Sequence, residues 1–403
     1  MRAWHRSITF FFGFVGVAWA SWVVRLPEVK ELIHVSTAEL GLVLLVGSIG
    51  SLSALLSSNR FIERFGTKPI VLIGTSVFIL ALSAAAFAAA AGMVWLVCVC
   101  GFILGFGVGV ADVAQNVDGS QIEQKLERSI MPRLHAAYSL GTLVGAGYGS
   151  LAAFLKLQVE WQIFMLVPVG AALALVTHKH LPANVGKLAA GETHQSSSTE
   201  TSGNRRRSAF SLLFASSLFF LGLGIFAITL VEGASNDWLA LSLVKEYHAS
   251  NANAGVGYAF LVGAMTLTRF FGGNLVDSWG RDKVLRRAAL VGVGGIAVLI
   301  FAPQWFGDAA LYVAWFAAAC WGVGVALAFP LFLSAAGEGA ESARRVALVA
   351  TCGYTAFLVG PPLLGLLGQS IGLLNMFGVL AACLVLAAAV AGVLKQHKPA
   401  ATN

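Results

Sequence analysis

Twelve apolar segments, each about 20 residues long, constrain this chain more than any other feature, since a helix of about that length crosses a membrane. The segments are 7–24, 38–58, 69–89, 94–115, 134–155, 161–180, 209–231, 252–275, 284–302, 311–333, 346–368 and 372–394. Lipid offers the backbone no hydrogen-bond partners, so only helices and closed barrels span a bilayer. The segments lack the strict polar–apolar alternation of barrel strands. The sequence therefore predicts an all-α membrane protein with twelve transmembrane helices.

The charge distribution supports a membrane protein and predicts its orientation. Charged residues make up 11% of the chain and hydrophobic residues 58%, and so few charges cannot cover a water-facing surface. Of the 26 Lys and Arg, only Arg25, Lys30, Lys156 and Lys245 fall at the predicted outer ends of the segments. By the positive-inside rule, this asymmetry places both termini in the cytoplasm. The net charge of +7 is therefore a topology signal, and we expect the lipid bilayer rather than nucleic acid as a partner.

No motif for enzymatic chemistry or metal binding stands out in the sequence. All five cysteines lie in apolar segments, and Cys98-Val-Cys100 lacks the spacing of a metal-binding knuckle. Gly105-x-Gly107-x-Gly109 follows no predicted strand, which argues against a nucleotide-binding loop. Neither a Ser/His/Asp arrangement nor an HExxH motif is evident. We therefore expect no enzymatic activity, no cofactor and no metal.

The chain contains an internal duplication around a polar linker near its midpoint. His34-Val35-Ser36 recurs as His248-Ala249-Ser250, which is 214 residues later, and segment 59–68 matches 273–282 at the same offset. Internal repeats of this kind are typical of secondary transporters, which bind solute between the two repeats near the bilayer midplane. We predict three parts: an N-terminal six-helix half (1–181), a cytoplasmic linker (182–208) and a C-terminal six-helix half (209–403).

The duplicated segment contains an acid, a base and a glycine in each copy. The first copy is Glu63-Arg64-x-Gly66-x-Lys68 and the second is Gly273-x-x-x-Asp277-x-x-Gly280-Arg281. An acid at a helix end can pair with a base across the interface, and glycine permits a tight turn. Both copies resemble the signature loop of the major facilitator superfamily. The first copy has Asn59 where that family has Gly and Thr67 where it has a base, so the resemblance supports a gating role better in the second copy.

Three other stretches are similar to the YbjJ-type inner membrane proteins of this superfamily. They are Asp112-Val-Ala-Gln-Asn116-Val-Asp118-Gly119, His135-Ala-Ala-Tyr138-Ser139-Leu-Gly141-Thr142 and Glu232-Gly-Ala-Ser-Asn236-Asp237-Trp238. Two further features resemble the proton-coupled fucose permeases: an acid followed four residues later by Asn in the fourth segment, and Phe329-Pro330 in the tenth. The resemblance implies a monomeric protein of the bacterial inner membrane, with twelve helices in two pseudosymmetric halves, that carries a small polar solute together with protons.

The fourth segment places polar side chains inside the predicted membrane span. Gly101, Gly105, Gly109, Asp112 and Asn116 share one helical face, and the glycines favour close helix packing. An ionisable residue inside a span is costly and indicates a function. We predict that Asp112 binds the driving proton and that Asn116 orients the solute or the carboxylate. The alternative is a hydrogen-bond network that only locks helices together.

The other candidate residues lie in or next to the first, fifth, seventh, eighth and tenth segments. Tyr138 is a candidate solute contact because its ring stacks and its hydroxyl forms hydrogen bonds, whereas His135 is either a solute contact or an interfacial anchor. We expect Glu232 to be a second proton site, and Asn236 and Arg25 to contact the solute. We also expect Arg25 to pair with Glu232 or Asp237 across an outer gate, with two solvated acids as the alternative. Arg269 and Glu338 are expected to join ion pairs around the second signature loop.

These observations predict a secondary transporter that works by alternating access, with proton-coupled symport of a small polar solute as the first hypothesis. Proton-driven export of a metabolite or drug is the second, since coupling direction depends on site energies that sequence does not encode. A transporter-like sensor that moves nothing is a third. Several ionisable groups along the presumed path argue against the sensor, because a purely structural role offers nothing to offset their cost.

The predicted topology is open to a direct test with reporter tags at the N-terminus, at residue 200 and at the C-terminus. All three tags should report a cytoplasmic location, because the Lys and Arg distribution is so one-sided. A tag at residue 156, in a predicted outer loop, is the matched control and should report the opposite side. An outer location for the tag at residue 200 would contradict the arrangement of two six-helix halves.

Overall fold

The computed structural model describes residues 1–126, 130–187, 216–337 and 342–395, and these are helical apart from short turns, with no strand among them. In the N-terminal part the helices are α1 (Arg2–Val23), α2 (Leu26–Leu32), α3 (Thr37–Phe65), α4 (Thr67–Ala90), α5 (Val94–Leu126), α6 (Met131–Phe154), α7 (Val159–Phe164) and α8 (Leu166–Thr177). They are followed by α9 (Ser216–Tyr247), α10 (Asn251–Trp279), α11 (Arg281–Trp305), α12 (Ala310–Val325), α13 (Ala328–Ala336), α14 (Ser342–Ile371) and α15 (Leu373–Val390). Within the predicted linker, the part from residue 188 onward lies outside the described residues.

The number of membrane spans agrees with the sequence prediction. Eleven helical stretches in the described part of the chain are long and apolar enough to cross a membrane, with α7–α8 forming one of them and α12–α13 another. The helix α6, with 24 residues, is also long enough to cross. The prediction of an all-α membrane protein with twelve transmembrane helices is therefore confirmed.

Two helices continue well beyond the predicted apolar segments, and each has a charged residue near its middle. The seventh segment was predicted to end at residue 231, but α9 continues to Tyr247, so Glu232 lies near its middle. Likewise, α5 continues to Leu126, so Asp112 lies near the middle of that helix. Polar residues lowered the local hydropathy and ended the predicted segments early, whereas the backbone keeps its helical hydrogen bonds through them because such bonds do not depend on side-chain polarity.

Contacts group the chain into two compact units. The first unit comprises Met1–Glu192, Asn236–Val262 and Pro361–Leu373, and the second comprises Thr193–Ser235, Gly263–Gly360 and Leu374–Asn403. In the first unit, α1 packs on α6, and both α3 and α4 pack on α5. In the second unit, α11 packs on α12.

Glycines set the close approach of helices in the first unit. A Cβ on Gly105 of α5 would meet the backbone carbonyl oxygen of Gly47 on α3, and a Cβ on Gly141 of α6 would meet that of Gly13 on α1. Such spacing is available only to small residues, which let two membrane helices touch backbone to backbone. The predicted glycine face of α5 is used only in part, since a Cβ on Gly101 would meet nothing within 4 Å.

The duplicated motifs fold into the same turns in both halves. His34 and His248 have φ angles of 54° and 53°, and the serine two residues later accepts a backbone hydrogen bond at the start of the next helix, at 3.2 Å for Ser36 and 3.3 Å for Ser250. In the signature loops, Gly66 and Gly280 have φ angles of 82° and 86° and each directly precedes a helix. These left-handed conformations favour glycine, so the loop glycine is explained by backbone geometry in both copies.

The packing of α5 on α3 predicts unequal effects for two similar substitutions. Gly105→Ala should lower the unfolding free energy by about 1–3 kcal/mol, because the added methyl group collides with rigid backbone. Gly101→Ala on the same face is the matched control and should be neutral or slightly stabilising, since the site is open and alanine favours helix. Thermal unfolding of the purified variants measures both effects, and equal stability of the two would contradict the proposed contact.

Candidate functional site

The pair Asp112 and Asn116 occupies the middle of α5 in the first unit. The side-chain amide of Asn116 donates to the backbone oxygen of Asp112 at 2.9 Å and to its carboxylate Oδ1 at 3.1 Å. The Asp112 side chain is accessible at the protein surface, and no ion pair reaches it from any residue that the structure describes. The predicted pairing of these two residues is thus formed within one helical turn. An amide stabilises the carboxylate there without neutralising its charge.

A second carboxylate on α5 has a different environment. Asp118 is fully buried, and its Oδ1 accepts a hydrogen bond from the Thr67 hydroxyl at 2.8 Å. Thr67 is the first residue of α4 and directly follows the signature-loop glycine. Sequence reasoning treated this threonine only as a departure from the family pattern. In the structure, Thr67 joins the loop to α5 through Asp118. The sequence signal for this contact was the presence of a second acid, Asp118, shortly after Asp112.

The first signature loop packs within its own unit. The amide of Gly66 donates to the Ile62 oxygen at 2.7 Å, and the amide of Thr67 donates to the Val185 oxygen at 2.9 Å. Arg64 lies over the ring of Phe65, with its guanidinium carbon 5.2 Å from the ring centroid, and Glu63 is half-buried. The loop therefore contacts the segment that follows α8.

The second signature loop keeps the turn but exposes most of its side chains. Its turn amide, that of Gly280, donates to the Val276 oxygen at 2.9 Å. Asp277 is exposed and Arg281 is half-buried. A Cβ on Gly273 would meet nothing within 4 Å, so packing does not require glycine at that position. The turn glycine has a structural reason in both copies, whereas the role of the loop charges stays a prediction.

The two candidates on α6 lie one turn apart. The ring of His135 makes an edge contact with Phe12 of α1, with centroids 5.4 Å apart, and the side chain is otherwise accessible. Tyr138 is half-buried. Its backbone oxygen lies where a Cβ on Gly16 would be placed, so α1 and α6 touch at this level. The structure thus joins His135 to α1, and its proposed contact with solute stays a prediction.

Arg25 lies in a buried polar cluster between α1 and α2. Its side chain is 1% exposed, and its guanidinium contacts Glu28 at 2.6 Å, the Gln162 amide oxygen at 2.7 Å and the Leu157 backbone oxygen at 2.7 Å. Gln162 in turn donates to the Ser21 oxygen at 3.2 Å. The cluster ties the end of α1 to the connection between α6 and α7. The Arg25 guanidinium is thus bound by three polar groups of the first unit.

Four side chains of α9 and α10 form two contacts between these helices. Glu232 accepts a hydrogen bond from the Arg269 guanidinium at 2.8 Å, and Arg269 also donates to the backbone oxygen of Ala326 at 3.0 Å. The gate pairing of Arg25 with Glu232 or Asp237 was expected for a closed outer side, and it stays a prediction. The expected place of Arg269 in ion pairs around the signature loop stays a prediction, and Glu338 lies outside the described residues. Separately, in the first unit, Tyr258 donates to Asn236 at 2.6 Å.

Comparison with known proteins identifies the family. The model of the Major Facilitator Superfamily matches residues 7–345 of this chain. The chain belongs to that superfamily. Among curated proteins it is 28% identical to an uncharacterized MFS-type transporter of Yersinia pestis, over 94% of this chain and 92% of that protein. It is 25% identical to the membrane protein MosC of Rhizobium meliloti, over 94% and 88% of the two chains.

Solved structures of the superfamily share the fold at low sequence identity. The nucleoside transporter NupG is 14% identical with a TM-score of 0.71, covering 98% of this chain and all 100% of its own. The E. coli fucose–proton symporter FucP is 16% identical with a TM-score of 0.60, covering 97% and 98%. The D-xylose–proton symporter is 15% identical with a TM-score of 0.69, covering 96% of each. The family resemblance read from the signature loops is confirmed, and the protein is a major facilitator transporter.

The buried cluster around Arg25 predicts a stability effect. Arg25→Ala should lower the unfolding free energy by about 3–5 kcal/mol, because Glu28 and Gln162 lose their partner inside the protein. Lys245→Ala removes an exposed base near the end of α9 and serves as the control, with an expected change within about 0.5 kcal/mol. Thermal unfolding in detergent compares the two. A small effect of Arg25→Ala, equal to the control, would contradict a structural role for the cluster.

Proposed function

We propose that this protein moves a small polar solute across the bacterial inner membrane by alternating access, in symport with protons. The observation that carries the proposal is the Asp112–Asn116 pair. A carboxylate in the middle of a membrane-spanning helix is costly, and such groups mark proton and solute paths. Here an amide of the same helix stabilises the carboxylate, while no cation pairs with it among the described residues.

The pair has the chemistry that a proton-coupled site requires. When the site closes and water leaves it, an ionised Asp112 without a cationic partner is costly. Protonation of Asp112 removes that charge and therefore lowers the free energy of the closed site. Asn116 keeps one side-chain donor on the carboxylate and retains its amide oxygen as an acceptor. That combination suits a solute with hydroxyl or amine groups. Glu232, Asn236, His135 and Tyr138 are proposed as further solute or proton contacts.

Relatives of known structure support the coupling part of the proposal. Two of the structural neighbours are described as a fucose–proton symporter and a D-xylose–proton symporter, and a third as a nucleoside transporter. These descriptions belong to those proteins, whose identity to this chain is 16% or less. They are consistent with a polar, hydroxyl-bearing solute. We further propose that the protein acts as a monomer with both termini in the cytoplasm, and that it has no enzymatic activity.

Proton-driven export is the second candidate function. Export and import use the same groups, and the Asp112–Asn116 pair favours proton coupling without favouring either direction. A screen for solutes begins with thermal shift of the purified protein against sugars, nucleosides, organic acids and amino acids. A bound solute raises the melting temperature according to its occupancy. The compounds that stabilise the protein are then tested in liposomes for uptake and for exchange.

The role of Asp112 is tested with Asp112→Asn, which keeps the size and hydrogen bonding of the protonated acid but releases no proton. With a solute found by the screen, this variant should lose at least about tenfold of the accumulation driven by a pH gradient, because a carboxylate that cannot ionise cannot couple. It should retain exchange of labelled for unlabelled solute. Reconstituted liposomes measure both activities in the same preparation.

The control is Asp308→Asn, which changes an exposed acid in the turn between α11 and α12. That variant should retain both accumulation and exchange. If Asp112 belongs only to a structural network, Asp112→Asn lowers the melting temperature and leaves coupling intact. Full accumulation by a well-folded Asp112→Asn protein would therefore overturn the proposed proton site.

A further inference from the structure

The span formed by α12 and α13 contains a helix break caused by Pro330. In a regular helix, the amide of residue 330 would donate to the backbone oxygen of Ala326, but proline has no amide hydrogen. The break falls at residues 326–327, between Val325 at the end of α12 and Ala328 at the start of α13. The helix resumes at once, since the Leu331 amide donates to the Leu327 oxygen at 3.1 Å. The Ala326 oxygen is therefore the acceptor that the break leaves open.

Arg269 of α10 donates the hydrogen bond that the break leaves open. Its Nε donates to the Ala326 oxygen at 3.0 Å, and Nη2 of the same guanidinium donates to Glu232 at 2.8 Å. Glu232 and Ala326 belong to the second unit, as does Arg269. One side chain thus joins three membrane spans at a level close to the middle of α9. The guanidinium is planar and rigid, so its two donor directions are fixed relative to each other.

The Arg269–Glu232 pair is more exposed than the ion pair of Arg25 in its buried cluster. The side chain of Arg269 is 32% exposed and that of Glu232 is 18% exposed, whereas Arg25 in its buried cluster is 1% exposed. A charge pair that remains accessible within a membrane protein lines a cavity or a pathway, because lipid does not solvate it. The acid–base contact can therefore be reached by a solute or by water.

We infer that Arg269 is a positioning residue that links the state of Glu232 to the bend between α12 and α13. The inference rests on the proposed transport function. While Glu232 is ionised and bound, the guanidinium is held in the orientation that supports the Ala326 oxygen. When Glu232 loses its charge or contacts another group, Arg269 loses that anchor, and the Ala326 oxygen loses a well-directed donor.

A change in the bend between α12 and α13 would affect the packing of Phe329 in the second unit. Phe329 lies directly after the break, and its ring is 3.3 Å from the position of a Cβ on Gly353 of α14. The Thr229 hydroxyl of α9 is also 3.3 Å from that position, and it is buried with no hydrogen-bond partner among the residues that the structure describes. The bend therefore places an aromatic ring beside α9 and α14. Release of the Ala326 oxygen would move this ring against both helices.

The test uses hydrogen exchange of backbone amides, followed by mass spectrometry of peptides covering residues 328–337. Glu232→Gln removes the charge but keeps the size, and Arg269→Lys keeps a charge but lacks the two-donor fork. Both variants should raise exchange in these peptides by about tenfold, because the break loses a charge-assisted hydrogen bond. Peptides of α11 should be unchanged. Arg287→Lys, which alters an exposed base of α11, is the matched control and should leave both regions unchanged.

A second-site change makes the test specific. Pro330→Ala supplies the missing amide, so Ala326 gains a helical partner that does not depend on Arg269. Added to Arg269→Lys, it should return exchange in residues 328–337 to the level of the unaltered protein. A merely destabilised fold would raise exchange in α11 as well, so a rise and a rescue confined to residues 328–337 exclude it. The inference is overturned if neither single variant raises exchange, if exchange rises equally in α11, or if Pro330→Ala fails to restore protection.

Failure of this inference is distinct from failure of the transport proposal. Hydrogen exchange requires no solute, so an unchanged pattern in Glu232→Gln and Arg269→Lys removes the link between Glu232 and the bend and leaves the role of Asp112 standing. Conversely, an unaltered protein that neither binds nor exchanges any solute in the screen contradicts the transport proposal, even where the exchange pattern follows the expectation.

Discussion

The absence of water from the lipid core is the constraint on which this structure depends. It makes each span helical, because a helix satisfies the hydrogen bonds of its own backbone, and it favours polar side chains that have a partner nearby. Asp112 finds Asn116 on its own helix, Asp118 finds Thr67 on α4, and Glu232 finds Arg269 on α10. Even a single backbone oxygen, that of Ala326, is bound by a side chain from another helix where Pro330 removes the usual donor.

Arg25 and Arg269 show how the same type of side chain serves different purposes. Arg25 is enclosed by Glu28, Gln162 and a backbone oxygen at the junction of three elements, which fixes the connections of the first unit. Arg269 donates to Glu232 and to the Ala326 oxygen at the helix break. Its side chain remains 32% exposed. Enclosure favours stability, since removing one partner leaves a buried charge. Accessibility allows another molecule to compete for the same donors.

The duplication is visible in backbone geometry even where the side chains have diverged. His34 and His248 adopt the same left-handed conformation, and so do the loop glycines Gly66 and Gly280. Charged partners have not been preserved in the same way: Glu232 corresponds by the repeat offset to Ala18. Turns are retained because the chain must reverse at each membrane surface. The polar groups differ between the halves, which is consistent with a single path lined by unlike groups.

The sequence by itself determined the number of spans, the all-α fold, the superfamily and the turn glycines, because hydropathy, segment length and glycine at a left-handed turn are local properties of the chain. It also singled out Asp112 and Asn116, whose contact lies within one helical turn. Only the tertiary structure decided that Arg25 binds Gln162, that Arg269 binds Glu232 and Ala326, and that Thr67 binds Asp118. These partners lie on different elements, up to 137 residues apart for Arg25 and Gln162. Which helix faces meet is set by packing between whole helices, and no local pattern encodes it.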